Sequence, residues 1–153
     1  MSALIVKQTL TSDRWHWPDA QTPVEPGTPV VVPLARLLAE REQLLGRPGD
    51  LGVILHSDDD PWLLGEHLGR LALIAINFPV FTDGRGYSSA RLVRERLNWR
   101  GELRAVGDIQ RDQIPYLFRV GFDAFALRAG QDPEDALRAI NDFSESYQAT
   151  AAQ

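Results

Sequence analysis

From Asp50 to Phe143 the chain alternates four times between a short apolar run and a segment with helical spacing, and this alternation constrains the fold more than any other feature. Leu51–Leu55, Leu71–Ile76, Glu102–Val106 and Ala124–Leu127 read as strands. The helices between and after them run through Leu63, Leu64 and Leu68; through Ala90, Val93 and Leu97; through Ile114, Leu117 and Phe118; and through Ala136, Leu137, Ile140 and Phe143. Leu71–Ile76 is continuously apolar, as a strand buried on both faces must be. Strand–helix alternation of this kind implies an α/β fold with a mostly parallel sheet and right-handed crossovers. Four consecutive βα units fit half of an eight-stranded barrel, the preferred reading, or alternatively a flavodoxin-like sheet. Half a barrel has two open edges, so an N-terminal arm, a second subunit, or both must cover them.

Proline and glycine mark the breaks. Pro61 suits a first helical position, and Asp132 followed by Pro133 reads as an N-cap and first turn. Pro115 is awkward inside its helix and suggests a start one turn later. Upstream, Leu34, Leu37, Leu38, Leu44 and Leu45 share one helical face, with Arg36, Glu40, Arg41 and Glu42 on the other, before Gly46–Gly49 ends the helix. Residues 1–30 read as a hairpin or arm followed by a proline-rich connector. Leu4–Val6 and Trp15–Trp17 are its expected strands, with a turn at Thr11–Asp13 and the tryptophans packed against the core edge. The α/β domain is then expected over 31–147, with a frayed tail over 148–153.

Composition removes several function classes. The chain has no cysteine, which excludes disulfides, thiolate catalysis and cysteine-bound clusters. His16, His56 and His67 are too scattered for a histidine metal site, so neither a metal nor a cofactor is expected. A formal charge of −5 opposes a nucleic-acid binder of the basic-patch kind. No apolar run approaches the roughly 20 residues of a membrane span, and no secretory signal is evident, so a cytoplasmic protein is expected.

In parallel α/β sheets function gathers at the carboxyl ends of the strands. Those ends carry Asp58–Asp60, Asp83 with Arg85, Asp108, and Arg128. Asp83 and Asp108 are candidate catalytic carboxylates, paired if their strands are neighbours, although pairing with Arg85, Arg104 or Arg111 is their commoner fate. The loop Asp83-Gly84-Arg85-Gly86-Tyr87-Ser88 combines a GxG turn, a serine able to cap the next helix, and further arginines at 91 and 94. Gly84, Arg85, Gly86, Tyr87, Ser88, Arg91 and Arg94 are therefore candidate ligands of a small oxyanion, with Gly86 a candidate for positive φ. The third glycine of a dinucleotide fingerprint is replaced by Ser89, and no Walker lysine is present.

Phe78-Pro-Val-Phe-Thr-Asp-Gly-Arg-Gly-Tyr-Ser88 with Ala90–Arg96, Arg100–Asp108, Arg111–Gln113 and Gly121–Phe125 resembles the bacterial family known as domain of unknown function 934, over about residues 30–150. Members are commonly encoded beside the haemoprotein subunit of assimilatory sulfite reductase and have been called probable oxidoreductases. The resemblance implies a place in sulfur assimilation, with sulfite reductase as partner, and brings no established catalytic residues. An accessory protein of sulfite reduction is the expectation; the alternative is a small barrel-like enzyme acting on an anionic or phosphorylated metabolite at the C-terminal rim of the sheet. A homodimer or a heterocomplex is expected from the sheet edges.

Overall fold

The computed structural model describes residues 3–19, 21–80 and 82–151, with side chains through Asp142. Phe143 on the last helical face and residues 152–153 of the expected tail lie outside the described side chains and residues.

The chain opens with a hairpin, β1 (Ala3–Val6) and β2 (Thr9–Thr11), joined by Lys7 and Gln8 at φ 49° and 64°. Two left-handed residues are what a two-residue hairpin turn requires. The turn thus falls four positions before the expected one. Residues 15–17 form no strand beyond a bridge between His16 and Val30. After the connector comes a strand that the periodicity did not reveal, β3 (Val30–Pro33). Its three buried valines are strong strand formers, but Pro29 and Pro33 disguise them as connector.

The expected single helix is two, α1 (Leu34–Ala39) and α2 (Arg41–Gly46), broken at Glu40. Arg36, expected on the polar face, is buried because its guanidinium donates to Asp19 O at 2.6 Å and to Glu40 at 2.9 Å. Then follow β4 (Leu51–Leu55), a ten-residue 3₁₀ segment (Pro61–Arg70), and β5 (Leu73–Phe78). β5 lies two residues later than its apolar run suggested. Leu71 instead closes the 3₁₀ segment, its amide bonded to Leu68 O. α3 (Arg85–Arg91) runs on into a π-helical turn, Leu92–Arg96, and is followed by β6 (Glu102–Gly107).

A 3₁₀ turn at Arg111–Gln113 leads into α4 (Ile114–Arg119). Pro115 sits in the first turn of α4, where a missing N–H breaks no helical bond. The helix therefore starts at Ile114 rather than one turn later. β7 (Ala124–Leu127) and α5 (Pro133–Ala151) complete the chain, with Asp132 accepting the Glu134 amide at 3.0 Å.

The seven strands of the described residues form one sheet in the order β2-β1-β7-β6-β5-β4-β3. β3 to β7 are parallel and stand in sequence order, while the hairpin adds antiparallel strands beyond β7. Right-handed crossovers that always step the same way place every helix on one face. A doubly wound sheet instead reverses direction and fills both faces. One core row is Val32, Val53, Ile74 and Leu103; the next is Leu55, Ile76, Ala105 and Phe125. Both pack with Leu37, Leu64, Val93, Leu117 and Ile140 from the helical side.

The other face is covered by the chain's own N-terminal segment. Thr11 is on β2 at one edge, and His16 pairs with the outer side of β3 at the other, bonded to Pro29 O and Val31 N. Six gaps between flat strands span roughly 29 Å, whereas the five residue steps from Thr11 to His16 reach at most about 17 Å. The sheet must therefore curl, with residues 12–16 strapped across its hollow. Trp15 packs there against Val31, Leu73 and Ile54. Gly52 lies between Val31 and Leu73 in the same row, where an added Cβ would meet Leu73 Cβ at 3.0 Å, as expected on the crowded inside of a bend.

Candidate functional site

The carboxyl ends of β4 to β7 form one rim, and the structure brings together there Ser57, Asp58, Asp83, Arg85, Asp108 and Arg128. Neighbouring strands place the loops after β4 and β5 side by side, and two contacts join them. Ser57 Oγ donates to Asp83 Oδ2 at 2.8 Å, and Arg85 Nη1 donates to Asp58 Oδ1 at 3.0 Å. Asp83 also accepts the Arg85 amide at 3.0 Å and a two-pronged contact from the same guanidinium, Nε at 3.1 Å and Nη2 at 3.0 Å. Its side chain is 7 % exposed. The Arg85 guanidinium, then the Arg85 amide and the Ser57 hydroxyl, hold the Asp83 carboxyl far below the usual carboxylate range, and Asp83 in turn raises Arg85.

Asp108 belongs to a second network. It follows Gly107, whose φ of 94° and close approach to Phe78 O leave no room for a Cβ. The Asp108 amide donates to Phe78 O at 2.7 Å, while its carboxylate accepts from Gln110 Nε2 at 3.0 Å and Arg128 Nη1 at 2.6 Å. The two candidate carboxylates thus answer to different arginines. Of the other partners considered, Arg104 pairs with Glu102 and Asp13 on the far face of the sheet, and Arg111 pairs with Asp135 and Asp112.

The seven candidate anion ligands separate. α3 begins after Gly84, with Asp83 rather than a serine taking the free Arg85 amide; Ser88 lies inside the helix and is no cap. Gly86 has ordinary helical backbone. Glycine is required there because a Cβ would overlap the ring of Phe78. Tyr87 meets Phe78 and Tyr116 edge-on, at ring separations of 5.4 and 5.1 Å, and its hydroxyl receives Gln113 Nε2 at 3.0 Å. Arg91 donates to the Tyr116 hydroxyl at 3.1 Å, at the opposite end of α3 from the rim contacts of Arg85.

Arg94 is structural. Its Nε donates to Gly121 O at 2.9 Å, and Nη1 donates to Trp99 O and Gly101 O, both at 2.8 Å. It ties the end of the π turn to the segments that enter β6 and β7. Burial pushes its pKa down, partly offset by Asp123.

Sequence reasoning missed Ser57, a small polar residue with no motif around it. It also missed the buried role of Arg104, although an arginine between Leu103 and Ala105 in an apolar strand was a usable signal. Among the described residues no three His, Asp or Glu side chains group as a metal site would need, and no helix is long and apolar enough to cross a membrane.

A sequential parallel sheet, curled around an N-terminal strap and helical on its outer face alone, defines an α/β protein of the half-barrel kind. The chain belongs to a bacterial family of unknown function, DUF934, whose model matches residues 52–153, from β4 to the C-terminus. No curated protein and no solved structure matches the chain significantly.

Proposed function

We propose that this protein is an accessory, partner-binding component of assimilatory sulfite reduction that supports the haemoprotein subunit of sulfite reductase. The observation that carries the accessory part is the state of Asp83, which accepts one hydroxyl and three N–H donors. A general base works best with a pKa near the operating pH, and a carboxylate held so far below it is a weak base. Asp108 is likewise engaged by Arg128 and Gln110. The segments after β4 and β5 expose Trp62, Leu63 and Val80, with Trp62 55 % exposed. Large apolar side chains beside a charged rim suit a protein partner, because aromatic anchors supply much of the energy of such contacts. The sulfite-reductase part rests on the family resemblance.

Affinity-tagged protein from cells growing on sulfate should carry the sulfite reductase haemoprotein. Deleting the gene should impair growth on sulfate or sulfite, with rescue by sulfide or cysteine. Purification without that subunit, combined with turnover of an anionic metabolite, would replace this function with an enzyme acting at the rim.

A further inference from the structure

Away from the rim, a groove of about 600 Å³ runs between the α3–π segment and α4, lined by Arg91, Arg94, Glu95, Tyr116, Arg119 and Gly121. It faces the entry side of β6 and β7, because Arg94 bonds there to Gly101 O and Gly121 O. Three arginines and one glutamate line it, on a chain whose net charge is −5. Among the described residues neither Arg91 nor Arg119 has a carboxylate within ion-pair distance. The arginines of the rim and strap, by contrast, are paired with acids: Arg85 with Asp83 and Asp58, Arg128 with Asp108, and Arg104 with Glu102 and Asp13.

Arg94 gives the groove a fixed floor. Three backbone carbonyls hold its Nε and Nη1, while Nη2 has only Asp123, at 3.7 Å, beyond hydrogen-bond length. A guanidinium immobilised in this way loses little entropy when it meets an anion. Tyr116 is 45 % exposed, and its hydroxyl orients Arg91. Volumes of this size suit small-molecule ligands. The groove exceeds what a bare phosphate would fill, and the exposed ring can take an organic body.

We propose that this groove is a binding site for a phosphate monoester, with Arg91 and Arg119 gripping the dianion over Arg94 and the organic part resting on Tyr116. Arginine forks match the oxygen geometry of phosphate, and two of them favour a dianion over a singly charged sulfate ester. The site is independent of the rim and of the partner reading above.

Calorimetry with phenyl phosphate and phenyl sulfate on the whole chain tests it. Arg91→Gln and Arg119→Gln are suitable variants because both side chains are exposed, and unchanged melting temperatures check that they fold. Phenyl phosphate should bind saturably and more tightly than phenyl sulfate, and each variant should weaken it by about tenfold, the loss of one charge-assisted contact. Arg85→Gln, at the rim, should leave the affinity unchanged. No saturable binding at millimolar phenyl phosphate, equal affinities in wild type and variants, or loss through Arg85→Gln would each overturn the proposal. A glutamate-rich peptide that binds more tightly through the same arginines would also overturn it, making the groove a protein-docking surface.

Discussion

The guanidinium of Arg104 on β6 lies 3.2 Å from the carboxylate of Asp13, a residue 91 positions earlier in the chain. The contact pins the middle of the N-terminal strap inside the curl of the sheet. Arg104 is 2 % exposed and is also held by Glu102 at 2.7 Å, while Asp13 accepts the Trp15 amide and the Trp17 indole N–H. One side chain therefore organises both tryptophans and the strap.

Arg104→Met should be destabilising, by about 1–3 kcal/mol, because it leaves Glu102 and the partly exposed Asp13 without their shared cation. Urea denaturation followed by tryptophan fluorescence measures it. The native emission should also shift to the red as Trp15 and Trp17 lose their anchor. An unchanged midpoint and spectrum would mean that the strap is held by packing alone.

Two glycines of the rim loop should respond differently to alanine. Gly86→Ala forces a methyl into the Phe78 ring and should cost about 1–3 kcal/mol, the usual range for overpacking. Gly84 has ordinary backbone angles and open space around the position of a Cβ, so Gly84→Ala should be close to neutral. Thermal melts of the two variants decide between crowding and backbone strain. Equal losses at both positions would argue against crowding as the cause.

Asp83 sets a pH signature. Its folded pKa lies well below the ordinary value of 3.8, so its contribution is present above that value and is lost as pH falls toward the depressed folded one. Wild type should therefore be more stable than Asp83→Asn at neutral pH, and the gap should narrow below about pH 4, the unfolded carboxylate range. Asp123 acts in the opposite sense, since burial raises its pKa. Denaturation curves from pH 7 to pH 3 test this, and a gap that stays constant would refute it.

The purified chain should be monomeric. A homodimer was expected from two bare apolar edges, but the hairpin pairs with β7 and His16 covers part of β3. The outermost strand, β2, is three residues long, exposed and flanked by threonines, a poor template for edge pairing. Light scattering at micromolar concentration should give the mass of one chain, 17.1 kDa. A heterocomplex with a partner remains the proposal, and Trp62→Ala or Val80→Asp should weaken it without altering the monomer.

Apolar runs between glycine and proline breaks located β4, β6, β7 and the start of α5 from sequence alone, because burial on both faces leaves a local imprint that needs no knowledge of neighbours. The same logic failed at β3, where prolines flank three valines, and misplaced the hairpin turn, because Lys7-Gln8 carries none of the usual glycine or asparagine signal. Residue types at the strand ends placed Asp58, Asp83, Arg85, Asp108 and Arg128 on one rim. The pairing of Asp83 with Arg85 was among the fates the residues suggested, whereas Ser57 on Asp83, across 26 positions, and Arg128 on Asp108, across 20, were not legible. Spacing along a helix put Arg85, Arg91 and Arg94 in one constellation, yet Arg85 serves the rim while Arg91 and Arg94 line the α3–α4 groove, Arg94 held there by three backbone carbonyls. Local periodicity determined which faces are buried. The curl of the sheet, the course of the strap and the pairing of charges depend on contacts between distant segments, and only the tertiary structure decided them.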